Sequence, residues 1–145
     1  MRYVAVITVE GVLSQTEDLK TSQATSWARQ VYMALKHEYR MILLTSSDDE
    51  LARWWLEREY ITDFALLNPY VALMPYPEWR VDQVRQLLAD GYEVSMVYDT
   101  DDLVIHGVNQ LGVPGMRVSP PLQRTGWREH TTEVRSWGDV VGYSG

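Results

Sequence analysis

Short apolar blocks alternate with longer polar stretches along the chain, and the two carry different periods. Tyr3 to Val9 is β-branched and almost uninterrupted, the pattern of a strand buried on both faces, and Gly11 breaks it. After a polar stretch from Ser14 to Gln23, a helix is predicted over Ser22 to His37, with Trp27, Val31, Ala34 and Leu35 on one face. Met41 to Leu44 reads as a second buried strand ending at Thr45-Ser46-Ser47. Ser47 and Glu50 form an S-x-x-E capping box for the next helix, whose inner stripe is Leu51, Trp54 and Trp55 with Arg58 at its edge. Phe64 to Leu67 predicts a third strand, and the prolines between Pro69 and Pro77 predict an irregular loop. Val81, Val84, Leu87 and Leu88 mark a helix from Glu78 to Asp90, stopped by Gly91. Glu93 to Tyr98 is the next strand and runs into Asp99-Thr100-Asp101-Asp102. A helix carrying Val104, Ile105, Val108 and Leu111 ends at Gly112, and Val113 to Val118 is the last strand.

Strands alternating with helices throughout imply an α/β fold: a Rossmann-like parallel sheet with helices on both faces. No internal repeat or linker divides the chain. Residues 1–118 form the α/β core, and 119–145 are expected to be an irregular C-terminal arm packed on the same domain through Trp127 and Trp137.

Composition narrows the function. The 145 residues carry 13 Lys+Arg against 20 Asp+Glu, a formal charge of −7 that argues against a general nucleic-acid binder. The absence of cysteine excludes disulfides, thiolate metal sites and a thiol nucleophile. No apolar run approaches the roughly 18 residues of a membrane span, and Glu10 cuts the N-terminal run short of a signal-peptide core, so a cytoplasmic domain away from membranes is expected. Six Trp and nine Tyr against one Phe suit either a core or a surface for a protein partner or self-association. Trp27 and Trp54 are expected in the core.

In open α/β sheets ligands bind at the carboxyl ends of the strands. The residues there are Thr8-Val9-Glu10-Gly11, Thr45-Ser46 and Asp99-Thr100-Asp101-Asp102. Carboxylates from separate strands with a hydroxyl between them suit Mg²⁺, and the helix N-termini behind them suit a phosphate. An acid at the end of a buried strand is costly unless it is used, which singles out Glu10 and Asp99. The serines are expected to cap a helix.

The order Thr8-x-Glu10-Gly11-Val12-Leu13, then Thr45, Arg80 and Asp99 with Gly112 after it, resembles the haloacid dehalogenase-like (HAD) hydrolases, whose first strand ends in D-x-D-G-[TV]-L. The resemblance covers residues 1–118, and M-I-L-L-T-S-S before a capped helix is similar to the small phosphatase-type members, phage ones included. The short link after Gly11 leaves no room for a large cap domain. The resemblance implies a phosphoryl-accepting nucleophile at position 8, where this chain has Thr, and an acid/base at Glu10. It implies phosphate binding by Thr45 and Arg80, and Mg²⁺ held by Glu10, Asp99, Asp101 and Asp102. Losing the nucleophile implies a catalytically dead or very weak phosphohydrolase acting as a binding or regulatory module, the most economical outcome of that substitution. Two alternatives stand: an active Mg²⁺-dependent phosphatase or nucleotidase, and a Mg²⁺-dependent nucleic-acid domain. The second follows from V-E-G after strand one and Asp99-Thr100-Asp101, which resemble the TOPRIM domain of topoisomerases and primases.

Overall fold

The computed structural model describes residues 3–119, so the expected C-terminal arm lies outside the described residues, Ser119 apart. Strand β1 (Tyr3–Thr8) is followed by a broken π-type turn (Val9–Leu13), then α1 (Ala28–Glu38), β2 (Arg40–Thr45), α2 (Asp49–Arg58), β3 (Leu66–Pro69), α3 (Tyr76–Ala89), β4 (Glu93–Asp99), α4 (Asp102–Gln110) and β5 (Gly115–Arg117). The strands form one parallel sheet in the order β3-β2-β1-β4-β5.

Alternation along the central strands builds two cores. Ala5 and Ile7 of β1 with Met41 and Leu43 of β2 face α1 and α2, where Tyr32, Trp55 and Leu56 complete the packing. Val4, Val6, Ile42 and Leu44 point the other way, against Trp79, Val84 and Leu87 of α3 and Val104 and Val108 of α4. Both faces of β1 and β2 are therefore dry, which is why their sequences read as continuous apolar runs.

Several boundaries differ from the periodic reading. Helix α1 starts at Ala28, not Ser22, because the preceding segment makes its own pairings: Ser14 bridges Ala24, and Thr25 N–H donates to Leu13 O. Its inward residues are Ala28 and Tyr32, and Ala34 is exposed. Asp48 rather than Ser47 caps α2, accepting from Leu51 N–H at 2.9 Å. Helix α3 begins at Tyr76 with Pro77 in its first turn, where a missing N–H is no loss. Trp54 is 47% exposed beneath Arg58, whose guanidinium lies 4.8 Å from its ring, while its neighbour Trp55 is buried. Successive helical positions differ by about 100°, so one Trp of the pair must face out.

Neither the 14–27 nor the 70–75 connection holds an inserted domain, so among the described residues the carboxyl edge of the sheet has no large cap. Among the described residues no helix is long and apolar enough to cross a membrane.

Candidate functional site

The strand order reverses at β1, which has β2 on one side and β4 on the other. Register pairs Thr8 with Leu44 and Ile7 with Tyr98, so the carboxyl ends of the three strands adjoin. That is the switch point at which α/β sheets form a crevice. Two buried carboxylates lie there, Glu10 at 2% exposure and Asp99 at 0%.

Glu10 reaches its place through the turn after β1. Its own backbone is extended (φ −73°, ψ 124°), and Gly11 follows at φ +86°, a conformation that a side chain would strain. A Cβ there would meet only ordinary contacts with Thr100 and Glu17, so the backbone angle, and not space, calls for glycine. The turn directs the carboxylate at the β2–α2 loop. Glu10 Oε2 accepts from the Thr45 hydroxyl at 2.5 Å and the Ser47 hydroxyl at 2.8 Å, and Oε1 accepts from Ser46 N–H at 3.0 Å. Thr45 Oγ1 in turn accepts from Ser47 N–H at 3.0 Å.

Asp99 sits on the other side of β1. Nη1 of Arg80 donates to both its oxygens, at 2.8 and 2.9 Å, and the Thr8 hydroxyl donates to Oδ2 at 2.7 Å. Backbone N–H groups of Thr100 (2.7 Å) and Asp101 (3.0 Å) complete the set on Oδ1. Arg80 Nη2 also reaches Asp101 Oδ2 at 3.4 Å. Arg80 is only 6% exposed, and its guanidinium lies 4.0 Å from the Tyr76 ring centroid, one helical turn earlier on α3. Tyr76 packs on Trp79 and Tyr70, which fixes the ring. Burial, and next the charge of Glu10, pushes the Tyr76 phenol well above its ordinary range. The Tyr76 hydroxyl and Arg80 Nε are buried with no hydrogen-bond partner among the described residues.

No family model matches the sequence, and no curated protein resembles it closely enough to count as a match. Solved structures do match. A chain of the Pnkp1/Rnl/Hen1 RNA repair complex superposes with TM-score 0.65 at 18% identity over 82% of this chain and 43% of that one. The haloacid dehalogenase-like hydrolase SP0104 from Streptococcus pneumoniae gives 0.56 at 14% identity over 70% and 49%, and L-2-haloacid dehalogenase from Xanthobacter autotrophicus gives 0.56 at 17% over 81% and 49%. The fold is haloacid dehalogenase-like. The chain spans just under half the length of these neighbours.

Within the HAD-like fold, six of the seven residues singled out in the sequence gather at the crevice: Thr8, Asp99, Arg80 and Asp101 in one network, Glu10 and Thr45 in the other. Asp102 does not join them. Its side chain is 81% exposed and pairs with Arg117 at 2.8 Å, because it follows the helix cap and projects from the outer side of the first turn of α4. Asp101 Oδ1 caps that helix through Leu103 N–H. Ser47 and Tyr76 are site residues that periodicity did not single out. Ser47 lies next to Thr45, and Tyr76 precedes Arg80 by four residues, so helical spacing alone could have flagged the latter.

The magnesium site implied for this fold needs several hard oxygens free to converge. Among the described residues no three His, Asp or Glu side chains form such a group. A carboxylate offers about four lone-pair directions, and Asp99 receives five donor contacts. Glu10 is turned to the opposite side, onto the β2–α2 loop. The donor set does not fit a divalent cation in this arrangement. The same separation leaves the Glu10, Asp99 and Asp101 group of the TOPRIM-like reading unassembled.

Proposed function

We propose that the domain is a HAD-like scaffold that binds a small phosphorylated ligand without turning it over, serving as a binding or regulatory module in the cytoplasm. Thr8 carries this reading. At the end of β1 the chain presents a hydroxyl, and its proton is held by Asp99. Attack on phosphorus requires that proton to leave, and the oxygens of Asp99 already serve Arg80 and two backbone N–H groups. Ligand class follows from the other network. The hydroxyls of Thr45 and Ser47 and the N–H of Ser46 converge on one anionic group, Glu10, and such donors match phosphate oxygens equally well. A protein partner belongs to the proposal, since one structural neighbour is a chain of a multiprotein RNA repair complex.

The test is a panel of aryl and nucleoside phosphates with wild type and Thr8→Asp. No turnover is expected from wild type, and restored turnover in Thr8→Asp would mark a dismantled phosphatase. Wild-type turnover abolished by Glu10→Gln or Thr8→Val would overturn the reading in favour of an active phosphatase or nucleotidase. One contact favours that alternative, the Thr8 hydroxyl lying 2.7 Å from a carboxylate oxygen.

A further inference from the structure

We propose that this site is closed by its own charges: Arg80 is its cation in place of a divalent metal, and Glu10 is the anion that a phosphorylated ligand must displace. The inference rests on the phosphorylated-ligand reading and adds how the ligand gains entry and what it does not require.

Arg80 spans the two acids that follow β4, with Nη1 on both oxygens of Asp99 and Nη2 on Asp101. A metal ion there would have to evict a guanidinium that is buried, fixed to Asp99 by two contacts and stacked on Tyr76. It would also gain no carboxylate from β1, because Thr8 is neutral and already directs its proton at Asp99. Arg80 already neutralises Asp99, and adding a second cation beside the guanidinium costs repulsion in a poorly solvated place.

The β2–α2 loop supplies the anion half. Three donors on three consecutive residues, Thr45 to Ser47 in the turn into α2, close on the Glu10 carboxylate at 2.5 to 3.0 Å. A phosphoryl group seated on these donors competes with Glu10 directly, since the donors cannot serve both. Arg80 Nε and the Tyr76 hydroxyl are separate from both networks. Each is a buried donor without an acceptor among the described residues, a bond that is left unmade only at a cost and that an anion oxygen entering beside them would make.

Calorimetry on the intact chain tests both halves, with inorganic phosphate and MgCl₂ as separate titrants. Wild type is expected to give no Mg²⁺ binding at millimolar concentration and the same phosphate affinity in EDTA as in Mg²⁺. Removing the competing charge in Glu10→Gln is expected to tighten phosphate by about tenfold, the effect of one like-charge contact relieved. Saturable Mg²⁺ binding by wild type, or phosphate binding that needs Mg²⁺, would overturn the assignment of Arg80. That arm uses no variant and so does not depend on one folding. Phosphate binding left unchanged in a folded Glu10→Gln would overturn the displacement while the ligand reading stands. Phosphate bound by neither protein would overturn both.

Discussion

The two buried carboxylates on either side of β1 are satisfied in different ways. Every partner of Glu10 is uncharged and comes from one short stretch, Thr45 to Ser47. Asp99 is met by a cation from α3, a hydroxyl from β1 and two N–H groups of its own turn, so its network ties three elements together. The Asp99 side is thus a structural cross-link, whereas the Glu10 side is a local contact whose neutral donors another anion can take over. Stability should therefore depend on the first far more than on the second.

Arg80→Met is the severest test. It strands a fully buried Asp99 charge, for which a loss of about 3–5 kcal/mol in urea unfolding is expected. Arg80→Met combined with Asp99→Asn should cost less than the sum of the two single changes, because the stranded charge is gone. Simple additivity would dissolve the cross-link. Thr8→Asp comes next. It sets a second carboxylate against Asp99 with one guanidinium between them, a loss of about 1–3 kcal/mol in EDTA. Mg²⁺ should restore part of that loss in this variant and change wild-type melting little. Glu10→Gln should cost only about 1 kcal/mol, since the side chain keeps its shape and one acceptor oxygen. A loss as large as that of Arg80→Met would erase the contrast between the two sides.

What was legible in the sequence follows the same division. The parallel sheet could be read because Val4 to Ile7 and Met41 to Leu44 are buried on both faces and carry no polar interruption. The HAD-like order of motifs placed Thr8, Glu10, Thr45, Arg80 and Asp99 at one edge, and they lie there. Misreadings arose where long-range contacts choose between equal local options. Ser47 and Asp48 are both good helix caps, and Glu10, 37 residues upstream of Ser47, takes the serine and leaves the cap to Asp48. Asp101 and Asp102 are chemically alike, and only the onset of α4 sends one toward Arg80 and the other to Arg117. Residues 14–27 have no period to read, because their pairings are backbone bridges and contacts such as the Trp55 indole N–H on Ser22 O.

The gentlest probe is Tyr76, whose ring lies against Arg80 and whose hydroxyl makes no hydrogen bond among the described residues. Its hydroxyl is buried and unpartnered among the described residues, so Tyr76→Phe removes a desolvated polar group while keeping the ring on Arg80. Near neutral pH the change should be within about 0.5 kcal/mol and of stabilising sign. At high pH the sign is fixed by linkage. Burial first, then the charge of Glu10, raises the folded-state phenol above its unfolded value, so the folded protein keeps a proton that the unfolded chain releases. Stability from this group is complete below the ordinary phenol pKa of about 10 and is lost as pH rises toward the folded value. Tyr32, raised chiefly by burial, adds to the same slope. Tyr76→Phe should therefore flatten the fall in unfolding free energy above pH 10 without abolishing it. An unchanged slope would mean that the phenol already meets water or an acceptor, and the open donor beside Arg80 would be lost from the site.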